Sequence, residues 1–271
     1  METTNRPDNL LYDLEHYALK SMELGQLTGL SIGSHAIRDA FLLMHVGVGC
    51  KNKAVAHLMV HDASEDANLR EGWTEVGDRD LILGASERIA PYMRSWVSRQ
   101  HPGVLILTSA TFIDLAGEDI QDVIQRAATE LSVPVLFVPT PGFRGDLFRG
   151  YAALMESVLG QMDWDSISPE ANRVSLAGYL FDRYERDHSA NFSHLSKLLQ
   201  AIGLSLGPSL FDGSSFSDLM EIPRSSLFIE LPYTRPKEKR IGRKLRKREV
   251  VQTDLPMGLR GTSRWLRSVA E

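Results

Sequence analysis

Residues 42–53 have the sequence Leu-Leu-Met-His-Val-Gly-Val-Gly-Cys-Lys-Asn-Lys. The apolar run at residues 40–44 predicts a short buried strand, and a helix is expected over residues 54–61. Gly47 and Gly49 lie between them and permit a tight turn or the close approach of another group. Cys50 is therefore expected where the carboxyl end of a strand turns toward a helix, the place where open α/β sheets hold ligands.

Cys50 is the only cysteine in the 271 residues. The dipole and free amides at the start of a helix stabilise negative charge, so a thiol in this position is favoured as thiolate. The competing interpretation is a small buried apolar side chain, as is common for an isolated cysteine. This stretch alone leaves both interpretations open.

Composition limits the classes of function that the chain can have. It is 43% hydrophobic and 24% charged, which is ordinary for a globular protein, and its net charge of −5 does not indicate general nucleic-acid binding. A single cysteine excludes an intrachain disulfide. No secretory signal opens the sequence, and no apolar run approaches the roughly 18 residues of a membrane span. We expect a cytoplasmic protein without a nucleic-acid or membrane partner.

Apolar strands alternate with helices along the chain. In the first part, further strands are predicted at residues 80–84, 104–108 and 133–138, and helices at 10–25, 34–40, 86–100, 118–131 and 150–162. After a linker at 163–172 the pattern restarts, with strands at 174–180, 204–210, 227–231 and 250–253 and helices at 192–203, 215–220 and 261–271. This alternation predicts parallel sheets covered by helices on both faces. The fold class is therefore α/β, with two Rossmann-like domains at residues 1–165 and 166–271.

Two other features have both a structural and a functional interpretation. His57 and His61 are four residues apart, which is metal-ligand spacing on a helix, but no third ligand is in view. Residues 235–248 contain nine Lys or Arg and one Glu. A solvated helix surface is the default for such a charge run, and a patch that docks an anion or a partner is the alternative.

Five segments resemble, in order, the motifs of the nitrogenase component 1 family of oxidoreductase subunits. The first, residues 45–50 (His-Val-Gly-Val-Gly-Cys), looks like the family's His-Gly-Pro-x-Gly-Cys turn. Residues 80–89 are similar to the family's strand followed by Gly-Gly-x-x-Lys-Leu, and residues 108–120 are similar to its Thr-Thr-Cys-x-x-x-x-Ile-Gly-Asp-Asp-Ile segment. Residues 138–151 are similar to its Thr-Pro-Gly-Phe-x-Gly…Gly-Tyr loop, and residues 255–262 are similar to its Leu-Pro-Ile-Gly-x-x-Gly-Thr segment. The family usually carries a third Rossmann-like domain, and the five segments found here correspond to motifs that precede it.

The resemblance implies that Cys50 ligates an iron–sulfur cluster at a subunit interface. His45, Gly47 and Gly49 would then lie beside the cofactor, and Thr111 stands where the family's second motif has a cysteine. A four-iron cluster usually needs four thiolates, and this chain offers one. It therefore resembles the β-like subunit of a hetero-oligomer, with a three-cysteine α-like subunit as partner and an ATP-dependent iron–sulfur protein as electron donor. The resemblance assigns no catalytic residue.

Three classes of function follow from the sequence. The first is a subunit of a nitrogenase-like reductase that relays electrons through an interfacial cluster, of the 4Fe-4S type by the resemblance, to a substrate or cofactor. The second is a non-catalytic scaffold or assembly partner without a cluster of its own. The third is a Rossmann-like protein that binds a small ligand. No Gly-x-Gly-x-x-Gly opens a βαβ unit, which argues against a dinucleotide, and no Gly-x-x-x-x-Gly-Lys-Ser/Thr is present.

Overall fold

The computed structural model describes residues 24–52, 54, 69–109, 111, 113, 117, 119–141, 145–179, 187–232, 245 and 247–271. Two four-stranded sheets lie within these ranges, and every strand pair in both sheets is parallel. Helices flank both sheets, because parallel strands that are apolar on both faces must be covered on both faces. The predicted α/β class with two parallel sheets is confirmed.

The first sheet is built from residues on the amino-terminal side of the chain. Its strands are β1 (Ala40–His45), β2 (Glu71–Trp73), β3 (Val104–Ser109) and β4 (Val135–Phe137), arranged in the order β2-β1-β3-β4. Its helices are α1 (Gln26–His35), α2 (Asp78–Leu83), α3 (Ile89–Gln100, preceded by the 3-10 turn Ser86–Arg88), α4 (Ile120–Ala128) and α5 (Leu147–Gln161). The chain reverses its direction of travel across the sheet between β1 and β3, which makes that crevice the topological switch point.

The second sheet repeats this arrangement. Its strands are β5 (Glu170–Ala177), β6 (Ser205–Leu206), β7 (Ser225–Glu230) and β8 (Glu249–Gln252), in the order β6-β5-β7-β8. Its helices are α6 (His188–Gln200), α7 (Phe216–Leu219, followed by the 3-10 turn Ile222–Arg224) and α8 (Gly258–Ala270). The equivalent switch point lies between β5 and β7.

Alternate side chains of β1 belong to two separate hydrophobic clusters. Leu42 and Met44 join α1 and α5 on one face, whereas Phe41 and Leu43 join α3 and α4 on the other. The first of these clusters also contains Phe228 of β7 and other side chains of the second half, so both sheets pack against one shared core. The boundary near residue 165 stays a prediction.

Helices α1 and α5 approach closely because both carry glycine at the contact. A Cβ atom on Gly150 would lie 1.9 Å from the carbonyl oxygen of Gln26, and one on Gly29 would lie 1.8 Å from that of Leu147. Neither position has room for a side chain. This contact holds the start of α5 at the carboxyl edge of the first sheet.

Several predicted elements differ from those observed. A strand is predicted at residues 80–84, but residues 80–83 belong to α2, because the carboxylate of Asp80 accepts a hydrogen bond from the backbone amide of Gly77 at 2.9 Å and closes a helical turn. The sheet instead takes Glu71–Trp73 as its edge strand, where no strand is predicted. A short helix is predicted over residues 34–40, but α1 ends at His35. Strand β5 begins at Glu170, inside the linker predicted at residues 163–172. The helix predicted at 10–25 and most of the one at 54–61 lie outside the described residues.

Candidate functional site at the carboxyl edge of the first sheet

Cys50 lies just beyond the carboxyl end of β1. Residues 48–52 are helical, and the amide of Lys51 donates to the carbonyl of Gly47 at 3.2 Å. The helix therefore begins earlier than predicted, and Cys50 lies in its first turn instead of ahead of it. The side chain of Cys50 is exposed, which contradicts the buried apolar interpretation. We call residues 47–52 the Cys50 turn.

The Cys50 turn is attached to the segment that follows β2. Gly47 forms a parallel bridge with Val76, and the amide of Thr74 donates to the carbonyl of Met44 at 3.1 Å. The ammonium group of Lys51 lies over the ring of Trp73, 3.6 Å from its centroid. Residues on both sides of Cys50 are thus held to the same neighbouring segment.

His45 is fully buried at the last position of β1. Its Nδ1 atom forms a hydrogen bond of 2.8 Å with the hydroxyl of Thr74, which is also fully buried. In the sheet register His45 is paired with Ser109, the last residue of β3. His45 therefore lies at the switch point behind the Cys50 turn, where it links the ends of three strands. Sequence analysis does not identify Thr74, because its role arises from tertiary pairing.

The two glycines of the Cys50 turn are not required by the packing that the structure describes. A Cβ atom on Gly49 would meet no described atom within 4 Å, and one on Gly47 would come no closer than 4.0 Å, to the carbonyl oxygen of Val76. The described atoms therefore leave the outer side of the turn uncovered at Gly49. Such a surface lets another group approach the amides and the thiol closely.

Thr111 lies at the same edge of the sheet. It is half-exposed and helical, two residues beyond the end of β3, while residues 110 and 112 are outside the described ranges. Because β1 and β3 are adjacent and in register from Ala40 with Val104 to His45 with Ser109, their carboxyl ends meet. The topology therefore places Thr111 and Cys50 on two sides of one crevice.

Exposed apolar side chains follow the strands that end at this edge. Ile82 and Leu83 of α2 are 85% and 70% exposed, and Val48 of the Cys50 turn and Phe148 of α5 are also exposed. Ile82 and Leu83 follow β2, Val48 follows β1 and Phe148 follows β4, and parallel strands end at the same edge of a sheet. Large apolar side chains exposed on one side of a protein are typical of an interaction surface. We call Val48, Ile82 and Leu83 the apolar rim.

Helix α2 is held in place by Asp80. Its carboxylate accepts from the amide of Gly77 and forms an ion pair with Arg88 at 3.0 Å. The hydrogen bond from Gly77 and, secondarily, the positive charge of Arg88 hold the pKa of Asp80 below its ordinary value. This anchoring fixes the helix that exposes Ile82 and Leu83.

The histidine pair and the basic segment do not form a second candidate site among the described residues. No three His, Cys, Asp or Glu side chains come together in the part of the chain that the structure covers, and His57 and His61 lie outside it. Of the basic segment, Lys247 pairs with Asp165 at 2.7 Å and Arg248 donates to the carbonyl of Ile167 at 2.9 Å. Within the described ranges, no helix is long and apolar enough to cross a bilayer.

Comparison with known proteins places these motifs in a family. The model of the nitrogenase component 1 type oxidoreductases matches residues 26–271. Among solved structures, nitrogenase Cp1 at pH 6.5 superposes with a TM-score of 0.62 at 16% identity, covering 78% of this chain and 41% of that chain. At this identity the superposition shows a shared fold.

Curated relatives are similar at low identity. The nitrogenase iron-molybdenum cofactor biosynthesis protein NifE of Clostridium pasteurianum is 21% identical over 74% of this chain and 43% of its own length. The corresponding protein NifN of Nostoc sp. is 25% identical over 69% of this chain and 41% of its own. A subunit of the light-independent protochlorophyllide reductase of Pleurastrum terricola is 22% identical, over 56% of this chain and 31% of its own. The chain spans less than half the length of these relatives.

Proposed function

Because the chain belongs to the nitrogenase component 1 type oxidoreductase family, we propose that it is a subunit of a nitrogenase-like complex in which Cys50 ligates an iron–sulfur cluster shared with a partner chain. The observation that carries this proposal is the position of the only thiol. It is exposed in the first turn of a helix at the switch point of a parallel sheet, beside an apolar rim.

The residues around Cys50 fit a bound cluster. Among the described atoms, none would meet a Cβ on Gly49 and none would lie closer than 4.0 Å to one on Gly47, which leaves room for an inorganic cluster and for amide hydrogen bonds to its sulfurs. When bound, such a cluster supplies one-electron transfer at a potential set by its ligands, charge and exposure. A single thiolate cannot hold a four-iron cluster, so most of the ligands must come from another chain. This favours a three-cysteine α-like partner, as the resemblance implies.

The other residues of the edge have supporting roles in this proposal. His45 and Thr74 hold the end of β1 against the segment after β2, which fixes where the Cys50 turn begins. Thr111 on the opposite side of the crevice offers a hydroxyl to the cofactor. The apolar rim contacts the partner and excludes water, and water exclusion strengthens the electrostatic interactions between the cluster and the protein.

In the full proposal the complex works as a reductase. An ATP-dependent iron–sulfur protein donates electrons, the shared cluster accepts them, and a substrate or cofactor held by the complex is reduced. The similarity to the light-independent protochlorophyllide reductase supports this version.

A second candidate function is the assembly of a metal cofactor. Relatives similar to this chain include two proteins named for iron-molybdenum cofactor biosynthesis, NifE and NifN. In that version the complex holds a cofactor under construction and need not turn over a substrate. Cys50 and the apolar rim would serve the interface in either version.

Electron delivery distinguishes the two versions. The chain is co-expressed with the products of neighbouring genes, purified without oxygen and mixed with the reduced ATP-dependent iron–sulfur protein. For a reductase, addition of ATP should change the electron paramagnetic resonance spectrum of the complex, and the change should be followed by product formation. A complex that carries iron but turns over no product, and instead releases a metal cofactor to an acceptor protein, supports the assembly version. A complex without iron contradicts the cluster proposal.

A further inference from the structure

Lys51 and Trp73 form a contact that the proposed function does not use. Lys51 directly follows Cys50 in the Cys50 turn, and its ammonium group lies 3.6 Å from the centroid of the Trp73 ring. A cation over the face of an indole is attracted by the quadrupole of the ring, and tryptophan is the strongest partner of this kind. The contact therefore links the residue beside the exposed thiol to strand β2.

Trp73 is a firmly held partner for this contact. It is the last residue of β2 and is paired in register with Met44 of β1. Its neighbour Gly72 is covered by Trp96, since a Cβ atom there would lie 2.6 Å from the indole. Strand β2 is also tied to α1 by the hydrogen bond between Glu71 and Ser31. The ring beneath Lys51 thus belongs to a strand that is attached both to β1 and to α1.

The contact completes a pair of attachments on either side of Cys50. Gly47 is bridged to Val76, and Lys51 lies on Trp73, so the turn is held to the segment 73–76 at both of its ends. On the outer side, the described atoms leave the backbone at Gly49 uncovered. Gly47 and Gly49 allow the backbone more conformations than other residues would, so the attachments of this single helical turn help to determine where the thiol lies.

We propose that Lys51 is a positioning residue for Cys50: its contact with Trp73 fixes the orientation of the Cys50 turn and holds a positive charge at that turn. The first consequence concerns the isolated chain and does not depend on a cluster. The second rests on the proposed function, because a fixed cation beside a negatively charged cluster favours its reduced form and raises its reduction potential.

The single thiol allows a direct test of the first consequence. A nitroxide label attached to the full chain can react only at Cys50, and its electron paramagnetic resonance line shape reports the mobility of the turn. In Lys51→Met the ratio of mobile to immobile label should rise about two- to fivefold, the range expected for loss of a partly exposed cation–π contact. Lys51→Arg keeps a cation over the ring and should restore the wild-type ratio.

Two further variants distinguish a specific effect on the Cys50 turn from a general increase in the mobility of the chain. Arg99 lies over Trp96 with 5.9 Å to the ring centroid, so Arg99→Met removes a longer cation–ring contact on another helix and should leave the label unchanged. Trp73→Leu should raise the mobility as Lys51→Met does, and the double variant should add little to either change. If Lys51→Met gives the wild-type line shape, or if Lys51→Arg fails to restore it, the positioning role is wrong.

The second consequence is tested in the complex with the partner subunit. Lys51→Met should shift the midpoint potential of the cluster to a more negative value, and Lys51→Arg should keep it near that of the wild type. An unchanged potential in Lys51→Met overturns the electrostatic part of the proposal. If the wild-type complex holds no cluster, the proposed function fails, whereas the label experiment on the isolated chain still decides whether Lys51 positions the turn.

Discussion

The carboxyl edges of the two sheets differ although the sheets share one topology. The orders β2-β1-β3-β4 and β6-β5-β7-β8 place a switch point at the same position in each. The first edge presents an exposed thiol and the apolar rim. At the described part of the second edge, polar groups bond to one another: Glu230 accepts from the side-chain amide of Gln252 at 2.6 Å. The scaffold is therefore common to both halves, and the segments after the strands determine which edge exposes a thiol.

Aromatic side chains pack together at the second edge. Tyr179, just after β5, packs against Phe192 with ring centroids 4.8 Å apart and against His188 at 5.1 Å. Its carbonyl accepts from the hydroxyl of Tyr151, which connects this edge to α5. Two exposed apolar side chains, Met257 and Leu259, remain at the beginning of α8. They provide a matched control for the rim of the first edge.

The largest expected effect is on the core that both sheets share. Phe228 is fully buried in the shared cluster and packs near Trp164, with ring centroids 5.9 Å apart. Phe228→Ala should lower the free energy of unfolding by about 3–5 kcal/mol. Because side chains of both sheets line this cluster, urea denaturation followed by tryptophan fluorescence should show one transition shifted as a whole. Two transitions, of which only one moves, would mean that the halves fold independently.

An intermediate effect is expected at the apolar rim. Replacing Ile82 and Leu83 together by Ser removes two side chains that are exposed in the isolated chain, so stability should change by less than about 0.5 kcal/mol. If a partner covers them, its affinity should fall by about tenfold or more, since burial of one such side chain contributes about 1.5–3 kcal/mol. The double variant of Met257 and Leu259 to Ser should bind the partner as the wild type does. Titration calorimetry measures both affinities. Equal losses at the two edges would remove the distinction between them.

The smallest effect concerns pH and the second edge. Burial lowers the pKa of His188 below its ordinary value of 6.5, and this outweighs the opposing hydrogen bond to the carbonyl of Asp212. The unfolded chain therefore binds a proton at a higher pH than the folded chain does. Stability from this group should be fully present above pH 6.5 and decline as the pH falls from there toward the folded pKa.

Substitution of His188 measures how much this residue contributes to the loss of stability at low pH. In His188→Gln, stability measured by denaturation should depend less on pH between about 7 and 5 than in the wild type. The same variant should leave binding of the partner at the first edge unchanged. An identical pH dependence in both proteins would show that His188 is solvated in the folded state.

The sequence predicts the elements whose apolar runs are buried. Residues 104–108 form an inner strand of the first sheet. Their apolar side chains are buried on both faces of that sheet, as a short continuous apolar run predicts. Residues 80–84 have a similar run, but the hydrogen bond between Asp80 and Gly77 makes them helical and leaves Ile82 and Leu83 exposed. Strand β2 is not predicted because its buried Glu71 depends on contacts with Ser31 and His35 of α1. Such partners are distant in sequence.

At the candidate site, too, the sequence predicts the local structure but not the contacts between distant segments. The spacing of Gly47, Gly49 and Cys50 after an apolar run predicts a turn at a sheet edge, and the structure places it there. Thr74 and Trp73 support the turn through a hydrogen bond and a ring contact between segments more than 20 residues apart. No local pattern indicates such contacts. The roles of His45, Gly47, Gly49, Cys50 and Thr111 toward a cofactor stay predictions.

The iron content of the complex tests the central proposal most directly. Wild type and Cys50→Ala are each purified without oxygen together with the three-cysteine partner, and iron, sulfide and the electron paramagnetic resonance signal are measured. Because Cys50 is exposed, the substitution should leave the fold and its stability intact. We expect the wild type to carry about four iron atoms per shared cluster and Cys50→Ala to lose or alter that cluster. A wild-type complex without iron, or a variant with the same iron content and the same spectrum, would contradict the assignment of Cys50 as a cluster ligand.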